Sequence, residues 1–136
     1  MNILLIEACV EDQDLFVQAL QRINVGAQYY GVAGCEDALN KLSASVMPRP
    51  DFIFLDLDMP VVDGYACLRM MKGSSVFKDI PIITYSTPDQ VVEITYMLKH
   101  GAFENLNKSS NFLRFCSDLR TILAPLNKTN ISTSRT

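Results

Sequence analysis

Apolar runs of strand length alternate with stretches of helical apolar spacing about five times along this chain, at a period of roughly 25 residues. Few folds accommodate such a repeat. Successive strands joined through a helix run parallel, the crossovers are right-handed, and helices cover both faces of the sheet. The fold class is therefore α/β, a doubly wound parallel sheet. Its centre is Asp51-Phe52-Ile53-Phe54-Leu55-Asp56-Leu57-Asp58-Met59-Pro60. An apolar run of this length, bounded by turn residues, reads as a strand buried on both faces. Pro60 has no N–H to give to a ladder, so the strand stops before it.

Composition agrees. A chain of 136 residues fits one domain with a real core. With 49% hydrophobic and 20% charged residues it is globular rather than disordered. A net charge of −3 without a Lys/Arg cluster argues against a nucleic-acid surface. No apolar run reaches the length of a membrane span, and the N-terminus lacks the basic flank and cleavage site of a signal peptide. The expected location is cytoplasmic. Cys9, Cys35, Cys67 and Cys116 follow no CxxC or zinc spacing and read as small buried residues, with Cys9 alone near the chemistry considered below.

In chain order, residues 2–7 form the first strand. Leu15, Phe16, Ala19, Leu20 and Ile23 form the stripe of the first helix, with Glu11, Asp12 and Asp14 at its N-terminus. Residues 27–33 are a second strand, weakened by Gly31, and the second helix is ended by Met47-Pro48-Arg49-Pro50. After the central strand, Asp63 or Gly64 opens a third helix that Gly73 ends. Residues 80–86 are the fourth strand. Thr87 is placed as a helix cap, with Pro88 first in the helix and Gln90 three after the cap. Residues 102–107 are the fifth strand, and Ser109 or Ser110 caps a last helix that Pro125 ends. Residues 1–126 form the domain, and 127–136 a polar tail expected to be disordered.

No GxGxxG follows the first strand and no GxxxxGK[ST] is present, which excludes the usual dinucleotide and nucleotide loops. A flavin protein of similar architecture would need a Ser/Thr/Gly-rich phosphate loop after the first strand, and none is there. What remains is a polar residue at four strand ends: Glu7, Asp56, Ser86 and, just after the fifth strand, Lys108. With strand order 2-1-3-4-5 all four face one crevice beyond the carboxyl ends of the strands, where ligands of such sheets bind. Taken singly, each is ordinary. Together they suggest phosphoryl transfer to a carboxylate. Asp56 is the nucleophile, magnesium offsets the gathered negative charge, and Lys108 and the Ser86 hydroxyl hold phosphoryl oxygens.

Residues 2–125 resemble the receiver domain of two-component response regulators. The resemblance is carried by Ile3-Leu4-Leu5-Ile6-Glu7, by Phe54 through Gly64, by Ile80-Pro81-Ile82-Ile83 through Ser86-Thr87, and by Gly101-Ala102 and Leu106-Asn107-Lys108. It implies a flavodoxin-like (βα)5 fold and a phosphoryl group accepted on Asp56 from a histidine kinase or histidine phosphotransfer protein. It also implies signalling by phosphorylation-dependent binding of a further protein rather than enzymatic turnover. Glu7, Asp56 and the backbone carbonyl of Asp58 are the magnesium ligands that it leaves.

This chain departs from the family pattern. Receivers usually have two adjacent acids after the first strand, and here the second is Ala8. Lys108 is followed by Ser109 instead of proline, and Asn105 stands where an aromatic residue is usual. A unit charge at about 4 Å is worth roughly 4 kcal/mol at an effective dielectric near 20 before hydration is counted. Losing one acid therefore implies a roughly hundredfold weaker magnesium site. Glu11 and Asp12 lie close enough in sequence to substitute, but acids in a first helical turn ordinarily serve as caps. The alternative is a pseudo-receiver, an interaction module that keeps the fold but is not phosphorylated.

Overall fold

The computed structural model describes residues 1–58 and 64–132, with the side chains of 125–132 excepted. The expected roles of Pro60 and Asp63, and the last four residues of the tail, lie outside the described residues. The elements are β1 (Asn2–Ile6), α1 (Val10–Ile23), β2 (Gln28–Val32), α2 (Cys35–Ser43), β3 (Phe52–Asp56), α3 (Gly64–Lys72), β4 (Ile82–Ser86), α4 (Val91–Lys99), β5 (Glu104–Asn107) and α5 (Phe112–Ser132). All strands are parallel, in the order β2-β1-β3-β4-β5. The sequence-based fold and strand order are thus correct.

Strand alternation divides the core in two. On one face Leu4, Ile6, Ile53, Leu55 and Ile82 pack under α2, α3 and α4, which contribute Ala38, Leu68 and Met97. On the other, Ile3, Leu5, Phe52, Phe54, Ile83 and Tyr85 meet Phe16 of α1 and Phe115 and Leu119 of α5. Every residue of β3 is buried, as a strand covered on both faces requires. Ladder bonds run slightly past the strand ends. The Glu7 N–H donates to the Val32 carbonyl at 3.0 Å, the Leu57 N–H to Tyr85 at 3.1 Å, and the Lys108 N–H to Ser86 at 2.6 Å. The backbones of Glu7, Leu57 and Lys108 are thus tied to the neighbouring strands. At Gly64 a Cβ would stand 3.1 Å from the Asp56 carbonyl oxygen and from Leu57 Cα. This glycine lets the start of α3 press against the end of β3.

Several expected boundaries move. β4 begins at Ile82, after Pro81, whose carbonyl accepts from the Ile53 N–H. α2 stops at Ser43, before the prolines, and Ser45 takes a left-handed turn at φ 57°. α4 begins at Val91 rather than at Pro88. The Thr87–Gln90 side-chain pairing expected of a cap does form: Gln90 Oε1 accepts from the Thr87 N–H and hydroxyl. It closes a turn ahead of the helix, in which the Gln90 N–H bonds to the Thr87 carbonyl. α5 is capped by Asn111, whose Oδ1 accepts from the Arg114 N–H at 3.0 Å, while Ser109 Oγ accepts from the Asn111 N–H. The helix also runs past Pro125. A proline removes one ladder bond and strains the turn before it, a cost rather than an absolute stop.

The cysteines need a correction too. Cys35, Cys67 and Cys116 are buried as expected, but Cys35 and Cys67 are joined by a disulfide, with Cα atoms 5.8 Å apart. The bond ties the first turn of α2 to the middle of α3. Cys9 and Cys116 are free. A pairing across 32 residues leaves no local spacing pattern to read. A loop of that size stabilises by about 3–4 kcal/mol through the unfolded chain. Reduction is thus expected to raise the count of titratable thiols in denaturant from two to four and to lower the urea midpoint. An unchanged midpoint after complete reduction would show that the bond contributes nothing to stability.

Candidate functional site

The carboxyl edge of the sheet gathers charge in a small space. Asp56 ends β3 and is 1% exposed; Glu7, one residue beyond β1, is also 1% exposed. Lys108, one residue beyond β5, reaches across β4 toward both. Its Nζ lies 2.9 Å from Asp56 Oδ1, 3.3 Å from Glu7 Oε2 and 3.2 Å from Asp12 Oδ2. The ammonium also sits 4.9 Å from the centre of the buried Tyr85 ring. One cation thus serves three carboxylates.

The remaining bonds orient these groups. Asp56 Oδ1 accepts from the Asp58 N–H at 3.2 Å, and Asp58 Oδ1 accepts from Gln90 Nε2 at 3.0 Å. The turn before α4 is thereby connected to the loop after β3. Glu7 Oε1 accepts from the Cys9 N–H at 3.1 Å, while buried Glu7 Oε2 has no hydrogen-bond donor beyond the ion pair with Lys108. Ser86 is fully buried, and its hydroxyl donates to Asn105 Oδ1 at 2.9 Å.

The electrostatics follow from burial and crowding. Burial pushes the Glu7 carboxyl up from its ordinary 4.5 to about 7, and sharing a proton with Asp56 and facing its charge act in the same direction. Lys108 opposes this only in part. Burial alone would lower Lys108, but its hydrogen bond to Asp56 and the charges of Asp56 and Glu7 outweigh it and hold the ammonium above its ordinary value. Tyr85 is raised by burial and by the nearby acids.

Of the residues expected from the sequence, Glu7, Asp56 and Lys108 come together. Ser86 stands at the same edge, on the strand between Asp56 and Lys108, with its hydroxyl turned to Asn105. Asp58 joins through its N–H to Asp56, and its side chain is engaged by Gln90. Asp12 is the residue that sequence reasoning set aside as a cap. It is the third residue of α1, and side chains in a helix tilt back toward its N-terminus, here toward the end of β1. Its sequence signal was only its place one turn after Ala8. Glu11 instead accepts from the exposed Cys9 thiol at 3.2 Å. Ligand atoms of Glu7, Cys9 and Asp12 lie within 4.8 Å of one another. Glu7 and Asp12 offer hard carboxylate oxygens, with Glu7 Oε2 lacking a hydrogen bond, and donors of this kind suit a magnesium ion that keeps several waters.

Residues 8–120 match the family described as the response regulator receiver domain. Curated relatives include response regulator MprA of Mycobacterium tuberculosis, 29% identical over 114 residues, with 84% of this chain and 49% of the relative covered. Another is the DNA-binding dual master transcriptional regulator RpaA of Synechocystis sp., 26% identical over 112 residues, with 82% of this chain and 46% of the relative covered. The chain spans about half the length of these relatives. Among solved structures, the phosphorylated cyanobacterial phytochrome response regulator RcpA superposes with a TM-score of 0.80 at 26% identity, covering 97% of this chain and 94% of its own. The manganese-bound form of response regulator Rcp1, at 24% identity, shares the fold with a TM-score of 0.78, covering 90% of this chain and 91% of its own.

The raised Glu7 carboxyl has a pH consequence. It binds its proton more tightly folded than unfolded, so between pH 4.5 and about 7 the folded chain holds more protons. Stability therefore falls as pH rises through that window, by on the order of 3 kcal/mol. Glu7→Gln cannot ionise and is expected to flatten the fall. Urea midpoints at pH 5 and pH 8, measured without divalent cations, check this; equal slopes in parent and variant would refute it.

Proposed function

The chain belongs to the response regulator receiver domain family, and we propose that within it this chain accepts a phosphoryl group on Asp56 from a phosphohistidine donor. Receiver domains are signalling domains rather than classical enzymes, and they bind magnesium at an acidic pocket. The observation that carries the reading is the placement of Lys108 Nζ 2.9 Å from the carboxylate that ends the central strand. Lys108 and the Asp58 N–H both engage Oδ1, so Oδ2 is the oxygen tied to neither. Oδ2 attacks phosphorus in line, the phosphorus–nitrogen bond of the donor breaks, and its electron pair leaves with the imidazole. Lys108 then holds an oxygen of the aspartyl phosphate. Ser86 supplies a hydroxyl to a second oxygen.

Glu7 and Asp12 would hold the magnesium ion, with Asp56 and the Asp58 carbonyl as the further ligands that the sequence suggests. When bound, the ion offsets the charge of the incoming group. Asp12 thus takes the place of the acid missing at Ala8. The donor is a histidine kinase or histidine phosphotransfer protein in the cytoplasm, and a protein partner reads the modified state. No helix among the described residues is long and apolar enough to cross a membrane.

One observation favours the pseudo-receiver instead. Lys108 is ion-paired with all three carboxylates, and an interaction module binding its partner constitutively needs no further chemistry at this edge.

Intact-mass spectrometry after incubation with acetyl phosphate separates the two readings. A magnesium-dependent adduct of one phosphoryl group, lost in Asp56→Asn, is expected. Its absence at high magnesium, with acetyl phosphate and with a histidine donor alike, would favour the module. Asp12→Asn is expected to raise the magnesium needed by roughly tenfold to a hundredfold, and Glu11→Gln to leave it within about twofold. Calorimetric titration with magnesium alone checks this independently of phosphorylation.

A further inference from the structure

Cys9 is the N-cap residue of α1, with an extended backbone and no side-chain bond to the helix. Sulfur is a weak acceptor and fills that role poorly. The N-cap and the third helical residue face each other, as in a capping box, and here that pair is Cys9 and Asp12. Cys9 Sγ, a carboxylate oxygen of Glu7 and one of Asp12 lie within 4.8 Å of one another. Asp56 is not a member of this cluster. The thiol is free and exposed, and it donates to Glu11 Oε2 at 3.2 Å.

A cysteine beside acids is not by itself a site. The second observation is Glu7 Oε2. Glu7 is 1% exposed, its Oε1 accepts from the Cys9 N–H, and its buried Oε2 accepts no hydrogen bond. A buried acceptor oxygen left open costs free energy that a bound cation recovers. Lys108 Nζ, 3.3 Å away, meets that oxygen as one of three carboxylates it serves.

The donor set decides the ion. Magnesium takes oxygen ligands, keeps its waters and gains nothing from sulfur. Zinc takes thiolate and carboxylate ligands together and fills a remaining position with water. We propose that Cys9 makes this corner of the pocket a site for a thiophilic divalent cation of the zinc class, held by Glu7, Cys9 and Asp12, whose binding excludes magnesium and so stops phosphoryl acceptance on Asp56. The exclusion rests on the phosphoacceptor reading above; the binding does not. As the metal–sulfur bond forms, the thiol proton passes to solvent and the bond to Glu11 is lost. Lys108 releases Glu7 and Asp12 and keeps Asp56, so that buried carboxylate stays paired. Both ions draw on Glu7 and Asp12, and the pair serves one ion at a time. With zinc in place, no magnesium stands beside Asp56 to offset the charge of an incoming phosphoryl group.

The test uses the full chain without added thiol, which would compete for the metal and open the Cys35–Cys67 bond. Cadmium stands in for zinc, because its bond to sulfur gives an ultraviolet charge-transfer band. The band is expected to saturate at one cadmium per chain and to be absent in Cys9→Ser. By calorimetry, Cys9→Ser is expected to weaken zinc at least about a hundredfold and magnesium by less than about threefold, whereas Asp12→Asn weakens both. Cys9 is exposed, so its variant keeps the fold. In the parent, zinc is expected to abolish the magnesium-dependent adduct formed with acetyl phosphate, read by intact mass, and Cys9→Ser to form it at the same zinc concentration. No band, a band that survives in Cys9→Ser, or zinc affinity indifferent to Cys9 would each overturn the site. A saturated zinc site with undiminished adduct would overturn the exclusion alone. A parent that forms no adduct even without zinc overturns the phosphoacceptor reading and the exclusion with it, while the cadmium band still decides the site.

Discussion

The ammonium of Lys108 is the constraint on which the rest depends. Two carboxylates buried to 1% exposure, Glu7 and Asp56, stand at the edge of the sheet, and Asp12 faces them. An uncompensated charge at such depth typically costs about 3–5 kcal/mol. Lys108 offsets it, but only from one place. Its backbone is bonded to Ser86 at the end of β4, and its ammonium rests near the Tyr85 ring on the way to the acids. The register of β4 and β5 and the start of α1 must therefore all be correct before the pocket is electrically tolerable. Packing and charge ask for the same strand order.

The pocket is also a compromise. Groups that attract a divalent cation are here held by a monovalent one that belongs to the chain. Any incoming metal competes with Lys108 for Asp12 and Glu7, and with the proton on Glu7. Ala8 removes one acid from the usual family pair, and Asp12 supplies another from the first turn of a helix. The number of acids near Asp56 is kept while its origin shifts from strand end to helix start.

Much of this was legible in the sequence. The alternation of strand and helix signals, and the buried run ending in Asp56, depend on local apolar periodicity, which one sequence displays directly. Glu7, Ser86 and Lys108 were legible once the strand order put their strand ends side by side. Asp12 was not, because a first-turn acid looks the same whether it caps a helix or turns into a pocket. Its partner lies 96 residues away. The Asn111 cap and the late start of α4 were misplaced for a related reason: serine, threonine and asparagine close turns and cap helices with the same side-chain bonds. The Ser86–Asn105 bond required knowing which residues face each other across a ladder, and sequence spacing does not carry that register.

The Cys35–Cys67 bond has a topological meaning beyond stability. It closes the chain into a covalent ring that includes α2, β3 and Asp56, with β1 and β4 lying on either side of the enclosed strand. A protease cutting once between these cysteines opens the ring without dividing the molecule. Both halves stay attached, and the central strand keeps a covalent link to the body of the domain at whichever end was not cut. The part of the chain that bears Asp56 is thus protected against loss by a single cleavage, and a thiol reductant would remove that protection.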